Sequence, residues 1–224
     1  MAIRRDGAML IAPAEVTAAL CPGRPCPPRL VPVVETALRS AQPLLDPVIV
    51  YRWVAVTAVD GQHAVLQADG DPPGRLQIGR HARLLAGAHQ ALVTAVSIGP
   101  RLDEADCGDR LEGYVRDCIG VIALGKVADT AAAMAEAEAR SRHWGVGPRI
   151  SPGSLAGWRM ADVHVLGGWL PLSRAGLDLS PEGVIHPLKS AVGLIGIGPG
   201  YGGSTVGSVC HLCRYREGCW RRQD

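Results

Sequence analysis

The sequence predicts one domain of the α+β class with a mainly antiparallel sheet. Helical and strand-like patterns alternate irregularly along its 224 residues, without the regular strand–helix–strand order of a parallel sheet. A hairpin is indicated where Asp60 and Gly61 separate two runs rich in β-branched residues. Hydrophobic residues make up 47% of the chain, and Ala, Val, Leu and Gly must fill the core because there is no Phe.

The individual elements follow from local patterns. APAEVTAAL predicts a short helix, CPGRPCPP an exposed linker, and RLVPVVETALRSAQPLL an amphipathic helix. ALVTAVSIG predicts a buried strand, and two helices are predicted over about residues 102–122 and 127–143. GVGPRISPGSLAGW reads as a loop, and HPLKSAVGLIGIGPGYGG as a strand that enters a glycine-rich bend.

Composition argues against several functional classes. A net charge of +2 with no long basic stripe argues against nucleic acid as the partner. The N-terminal apolar patch is interrupted by Asp6 and Pro13 and is too short for a signal peptide or a membrane span. We therefore expect a cytoplasmic protein without a membrane partner. In that compartment, seven cysteines indicate metal binding, redox chemistry or burial rather than disulfides.

RISPGSLAGW carries a permanent cation on a stiff loop. Pro152 restricts its own φ, and Gly153 lets a ligand approach the backbone closely. A guanidinium held in this way suits a carboxylate, so Arg149 is a candidate binding residue. The alternative is an ordinary surface turn.

The glycine-rich stretch after His186 is not predicted to bind phosphate. A phosphate loop opens a helix and carries a Gly-Lys-Ser/Thr or Gly-x-Gly-x-x-Gly pattern, whereas here the glycines follow a strand and no helical pattern follows them. His186 itself is expected to be structural.

The C-terminal stretch SVCHLCRYREGCWRRQD predicts a metal site on Cys210, Cys213 and Cys219. An iron–sulfur cluster is favoured slightly over zinc, because structural zinc needs four ligands and an accessible iron can take a non-protein ligand. Thiols without a metal are the alternative. Basic residues that would stabilise a thiolate-rich centre surround these cysteines: Arg214, Arg216, Arg221 and Arg222.

The order of these segments resembles a known family. VTAVSIGPRLDE, RDCIG, RISPGSLAGW, GLDLSPEGVIHPLKSAVGLIGIG and a cysteine tail follow one another as in the activation (reactivation) domain of vitamin B12-dependent methionine synthase, in a short, free-standing form. The resemblance runs from about Arg29 to the end. It implies an N-terminal segment and linker at 1–28, an S-adenosylmethionine (SAM) binding domain at 29–205 and a cysteine-rich tail at 206–224.

The resemblance also implies a curved antiparallel sheet flanked by helices and an activity. In this family the domain sits over a cobalamin-carrying domain, and cob(II)alamin is returned to methylcobalamin with one electron and a methyl group from SAM. A free-standing form would act on the corrinoid of a separate protein. A ferredoxin- or flavodoxin-like donor would supply the electron, directly or through a cluster on the tail.

Site residues follow from the same resemblance. Arg149 matches the arginine that binds the SAM carboxylate, and Gly153 matches the glycine that follows it. Ser154 stands where the family has a tyrosine, so an aromatic wall is missing, and Trp158 is a candidate to replace it.

Two further parts of the expected SAM site are distant in sequence from Arg149. The strand 190–198, with Ser190 and Gly193, matches the segment whose backbone lies beside SAM. Asp46 is the nearest candidate for an acidic SAM contact near the end of the early helix.

Three hypotheses follow. The first is a SAM-binding activator of a corrinoid protein, acting as a methyltransferase subunit. The second is a non-catalytic docking subunit of a corrinoid methyltransferase. The third is a SAM-dependent enzyme that has diverged from corrinoid chemistry.

Overall fold

A computed structural model describes residues 1–5, 7, 9–106 and 109–219. Asp6, Arg221 and Arg222, named above from the sequence, lie outside these ranges. The predicted α+β class with an antiparallel sheet is confirmed.

The strands are β1 (Ala2–Arg5), β2 (Val48–Val59), β3 (Ala64–Gln67), β4 (Gly74–Leu76), β5 (Gln90–Ser97), β6 (Gly145–Ile150), β7 (Asp178–Leu179), β8 (Ile185–His186) and β9 (Ser190–Gly198). Within the described ranges, seven of them form one antiparallel sheet in the order β4-β3-β2-β5-β9-β6, with β1 paired to β2. The predicted hairpin is β2–β3, with Asp60 and Gly61 in the turn between Val59 and Ala64. Strands β7 and β8 form a small separate hairpin.

The helices are α1 (Pro13–Leu20), α2 (Val31–Ala41), α3 (Arg101–Glu104), α4 (Arg110–Ser141) and α5 (Asp162–Gly168). The expectation of separate helices over 102–122 and 127–143 is wrong, because α4 is one unbroken helix from Arg110 to Ser141, and Leu102 belongs to the short helix α3. It begins where the Asp109 carboxylate accepts a hydrogen bond from the Leu111 amide. Buried small residues hold its middle against the sheet, and this packing offsets the modest helical cost of Gly125.

The predicted loop GVGPRISPGSLAGW also needs correction, because its first six residues form β6. Strand β6 pairs with β9, and the register shifts between Val146 and Arg149. Such a shift is a β-bulge, and Pro148 lies inside it, where the ladder hydrogen bonds are interrupted. The second half of the segment remains a loop.

Alternate residues of the sheet are buried on opposite faces. On one face Val50, Val93 and Leu194 pack with α5 and with segments around Leu155 and Leu177. On the other face Ile49 and Val96 pack beneath α1, α2 and α4. The core therefore consists of two layers separated by the sheet.

Helix α4 is long and apolar enough to span a bilayer by length and composition alone. Its buried residues Val115, Ile119 and Val127 pack against the protein's own sheet and helices. Its buried Arg116 donates hydrogen bonds to the carbonyl oxygens of Leu102, Ala105 and Asp106. This packing is that of a core helix.

The N-terminal residues join the same architecture. Strand β1 pairs with the first half of β2, and α1 packs on α4, where Glu15 and Lys126 form a 2.8 Å ion pair. The prediction that CPGRPCPP is fully exposed is wrong at Cys21, which is 5% exposed. Cys21 closes α1, because its amide donates to the carbonyl oxygen of Thr17.

Tyr201, in the glycine-rich bend after β9, packs against glycines of strands β6 and β9. A Cβ atom added at Gly147 or Gly196 would lie 2.7 or 2.6 Å from atoms of the Tyr201 ring and hydroxyl. The hydroxyl donates to the carbonyl oxygen of Leu84 at 2.7 Å, and burial raises the pKa of Tyr201. These glycines are needed for close packing, which gives the pattern a structural role.

A buried carboxylate joins α5 to the sheet. Asp162 is 8% exposed, and its Oδ2 accepts from the Gln77 amide at 2.7 Å and from Trp158 Nε1 at 2.8 Å. A buried donor that loses its acceptor keeps the full cost of its desolvation.

We predict that Asp162→Ala lowers the free energy of unfolding by about 2–4 kcal/mol, because the buried Trp158 indole N–H and the part-buried Gln77 amide lose their acceptor. Urea denaturation measures the change. The control is Asp178→Ala, at an exposed position, which should change stability by less than about 0.5 kcal/mol. Equal stability of the two variants would contradict this role for Asp162.

Candidate functional site

The end of β6 positions Arg149. Ile150, the next residue, is buried in the core on the α5 side of the sheet, so the Arg149 side chain projects toward α4. Its Nη1 lies 3.8 Å from Oδ1 of Asp129 on α4, and the two side chains are 35% and 70% exposed. An accessible pair of opposite charges therefore stands between the sheet edge and the helix.

The loop after β6 is a compact turn. The amide and the hydroxyl of Ser154 both donate to the carbonyl oxygen of Ser151, at 3.2 and 2.6 Å. Gly153 has φ +76°, in the left-handed region that glycine adopts without strain, and its amide donates to the carbonyl oxygen of Trp158. The loop therefore has a defined shape directly beside Arg149.

A cleft of about 600 Å³ lies over this loop, and we call it the Arg149 cleft. One wall comes from α4, with Asp129, Ala132, Ala133 and Glu136. Arg149, Ser151 and Ser154 line the second wall. The third wall comes from the C-terminal residues, including Cys210, Cys213 and Cys219. This volume is within the range of small-molecule sites.

A smaller cavity of about 130 Å³ adjoins this cleft between α4 and the sheet. Arg149 and Ser151 line both spaces, and Gly193 of β9 lines the smaller one. A Cβ atom at Gly193 would lie 2.7 Å from Ser151 Oγ and 2.9 Å from the carbonyl oxygen of Ile150. Glycine at this position therefore allows the Arg149 strand and loop to approach β9.

The structure brings Arg149, Gly153, Ser154 and Gly193 into one neighbourhood. Ser190 is the first residue of β9, three residues before Gly193, and its hydroxyl donates to the Ser97 hydroxyl at 2.8 Å. Asp46 lies beside Gly99, forms an exposed 2.9 Å ion pair with Arg5, and does not line either space.

Trp158 does not supply the missing aromatic wall. It is 3% exposed, lies in the core on the other face of the sheet, and donates to Asp162. The expectation that it faces the ligand is wrong. The indole is needed in the core because the chain has few large aromatic residues to fill it.

Sequence reasoning missed three polar residues of the Arg149 cleft, which are Ser151, Asp129 and Glu136. Ser151 lies inside the motif already selected. Asp129 and Glu136 are seven residues apart, a spacing that returns to one helix face after two turns. That spacing could have indicated a shared acidic face, but acidic residues spaced in this way on a helix usually face solvent and have no binding role.

The C-terminal segment, defined as residues 203–214, is bound along the outer edge of β6. The Val146 amide donates to the carbonyl oxygen of Gly203 at 2.8 Å, and the Arg149 amide to that of Gly207 at 3.3 Å. Glu136 Oε1 accepts from the Val206 amide at 2.8 Å. These hydrogen bonds make the segment a wall of the cleft.

Farther along, the same segment is joined to the loop after β6. Leu155 forms an isolated antiparallel bridge with Cys213, and the Arg214 amide donates to the carbonyl oxygen of Ser154 at 2.9 Å. The cysteines are thus fixed against the loop that follows Arg149.

The predicted metal site has no support in the described ranges. No group of three or more His, Cys, Asp or Glu side chains in residues 1–5, 7, 9–106 and 109–219 is arranged to hold a metal ion. Cys210 and Cys213 are half-buried, whereas Cys219 is exposed beyond Gly218, and none of the three is in a disulfide. The three described thiols therefore line one cleft but are not grouped as the ligands of one ion would be.

The fold and the cleft define a protein with a reactivation-domain-like fold. The crystal structure of the MetH reactivation domain bound to AdoHcy is similar over 95% of this chain and 83% of that chain, with a TM-score of 0.57 and 12% identity. The resemblance predicted from the sequence is therefore confirmed for the fold. No family model matches the sequence, and a search of curated proteins gives no match.

Proposed function

We propose that this protein binds SAM in the Arg149 cleft and supports the reductive methylation of a corrinoid carried by a separate protein. The observation that carries the proposal is the position of Arg149, on a turn at a 600 Å³ cleft in a reactivation-domain-like fold. The similar crystal structure holds AdoHcy, which is SAM without its methyl group. We further propose that the protein works in the cytoplasm.

Opposite charges in the cleft suit the amino-acid part of SAM. Arg149 would hold the carboxylate through paired N–H donors, and Asp129 would accept from the ammonium group. Their 3.8 Å separation matches a ligand that carries both charges on one carbon atom. In this proposal Asp129, rather than the candidate Asp46, would be the acidic contact to SAM.

Ser151 and Ser154 line the cleft with uncharged polar groups. The Ser154 hydroxyl is used within the turn, where it holds the loop that presents Arg149. Gly193 permits the loop to lie against β9. The chain's own residues therefore bind and orient the ligand, and they leave the open side of the cleft to a partner.

When bound, SAM supplies a methyl group on a positively charged sulfur, and the corrinoid of the partner accepts it. Binding both molecules on one surface replaces an encounter in solution by a fixed approach. A ferredoxin- or flavodoxin-like protein would supply the electron. The described cysteines give no reason to place a cluster in this chain.

We predict that Arg149→Ala weakens SAM binding by about 1.5–3 kcal/mol, roughly ten- to a hundredfold, because a charge-assisted contact is lost. Arg149→Lys should restore only part of the affinity, because an ammonium group cannot reproduce the paired geometry. Isothermal calorimetry with SAM and AdoHcy measures the change.

Methylthioadenosine, which lacks the amino-acid part, is the control ligand for this experiment. Its affinity should be the same in the parent and in Arg149→Ala. Arg174→Ala, at an exposed position outside the cleft, is the control variant and should bind SAM like the parent. Unchanged SAM affinity in Arg149→Ala would remove Arg149 from the site.

Ser154→Tyr should bind SAM more tightly, by about 0.5–1.5 kcal/mol, because an aromatic ring would cover the ligand. Ser154→Ala controls for loss of the hydroxyl bond to Ser151 and should not gain affinity. A folded Ser154→Tyr protein with much weaker SAM binding would indicate a rebuilt site and favour the third hypothesis of the sequence analysis.

We predict that adding a corrinoid protein changes SAM affinity, because a partner that covers the open side of the cleft would contact bound SAM, and SAM would then change the affinity for the partner by the same factor. Calorimetry of SAM with and without that protein, followed by the absorption spectrum of the corrinoid under reducing conditions, tests this. No SAM binding would favour the docking subunit. A SAM affinity that no added corrinoid protein changes would favour the enzyme that has diverged from corrinoid chemistry.

A further inference from the structure

We propose that Cys210 and Cys213 form a dithiol–disulfide couple in the wall of the Arg149 cleft and exchange with small disulfides. This inference does not rest on SAM binding. It starts from the finding that these thiols line a cleft together without forming a metal site among the described residues.

The backbone brings the two cysteines together. Residues Cys210–Leu212 form a single 3-10 turn, and the Cys213 amide donates to the carbonyl oxygen of Cys210 at 3.2 Å. A turn closed between residues i and i+3 holds their Cα atoms within about 7 Å. A disulfide requires Cα atoms about 4.4–6.8 Å apart, so this spacing can be bridged with a small adjustment.

The turn is fixed at both ends. The Cys210 amide donates to Ser208 Oγ at 3.1 Å, and Cys213 is bridged to Leu155 across the chain. A turn whose ends are anchored loses less conformational freedom when a bond closes within it. Cys219 is on the far side of the Gly218 turn and is exposed, so it is the less suitable partner.

The surroundings of the sulfur atoms suit thiolate chemistry. The Tyr215 amide donates to Cys213 Sγ at 3.5 Å, which directs a backbone dipole at that atom. Arg214 follows Cys213 directly, and the Arg216 guanidinium lies over the same turn, where Nη1 donates to the carbonyl oxygen of His211 at 3.5 Å. A hydrogen-bond donor and a positively charged side chain therefore lie beside the turn that carries the two thiols.

Access is provided by the cleft. Both cysteines are half-buried, and both line a space of about 600 Å³ that is large enough for a small disulfide such as glutathione disulfide. A buried thiol such as Cys118 has no such approach, and burial raises the pKa of that thiol.

The exchange balances in two steps. One cysteine thiolate attacks a sulfur atom of the disulfide RSSR, the S–S bond of RSSR breaks, and RS⁻ leaves with its electron pair. The second cysteine thiolate then attacks the mixed disulfide and releases the second RS⁻. The two cysteines lose two electrons, RSSR gains them, and the two thiol protons are taken up by the two RS⁻ products.

The test is a redox titration of the whole protein. Reduced protein is equilibrated anaerobically with glutathione buffers of increasing disulfide fraction and quenched with acid. The remaining thiols are then alkylated, and peptide mass spectrometry identifies the linked cysteines. We expect one reversible transition in which a Cys210–Cys213 disulfide forms.

Matched variants identify the pair. Cys210→Ser and Cys213→Ser should each abolish the transition, whereas Cys219→Ser and Cys26→Ser should leave its midpoint unchanged. A bond that joins Cys219 to either partner, persistent glutathione adducts in place of an internal bond, or no oxidation even in glutathione disulfide alone would overturn the proposal. Stoichiometric iron or zinc that protects all three thiols after anaerobic purification would also overturn it.

Discussion

The docking of Tyr201 among glycines is the contact on which the candidate site depends. The ring fills space that any side chain at Gly147 or Gly196 would occupy, and its hydroxyl bonds to the backbone at Leu84. This fixes the chain just after β9 and sends it back along the outer edge of β6. Without that return, β6 would expose an unpaired edge, and the Arg149 cleft would lose its third wall.

The charge arrangement of the cleft follows from two periodicities. Strand alternation buries Ile150 on one face of the sheet and turns Arg149 to the other, and the bulge at Pro148 sets where that occurs relative to β9. The helical repeat brings Asp129 opposite Arg149 and Glu136 opposite Val206. A loop, a strand and a helix therefore meet at one place, although they are distant in sequence.

Much of the fold could be predicted from local pattern. The β2–β3 hairpin, the buried strand β5, α2 and β9 all carry strong periodicity and clear turn residues. The division of α4 into two helices was wrong because tertiary packing of its buried residues keeps the helix continuous where the local pattern is weak. The first six residues of GVGPRISPGSLAGW were not predicted as a strand, because glycine and proline within a bulge resemble a loop.

The site was only partly predictable. Arg149 and the turn after it could be found because a cation next to Ser-Pro-Gly is a local signal. The position of Asp129 opposite Arg149 could not be predicted, because it depends on which helix lies over β6. The metal prediction relied on cysteine spacing, which does not specify the direction of each side chain; the exposed position of Cys219 depends on the conformation of Gly218.

The length of α4 connects three contacts that lie far apart in the structure. With a rise of about 1.5 Å per residue, Lys126 and Glu136 are about 15 Å apart along its axis, and Asp129 stands between them. Lys126 holds α1, Asp129 faces Arg149, and Glu136 holds the C-terminal segment. Helix α1 and the C-terminal segment are thus both held by one helix, at points on either side of Asp129. A ligand that displaced Asp129 along the axis would therefore act on the contact with α1, which lies outside the cleft, as well as on the C-terminal segment that lines it.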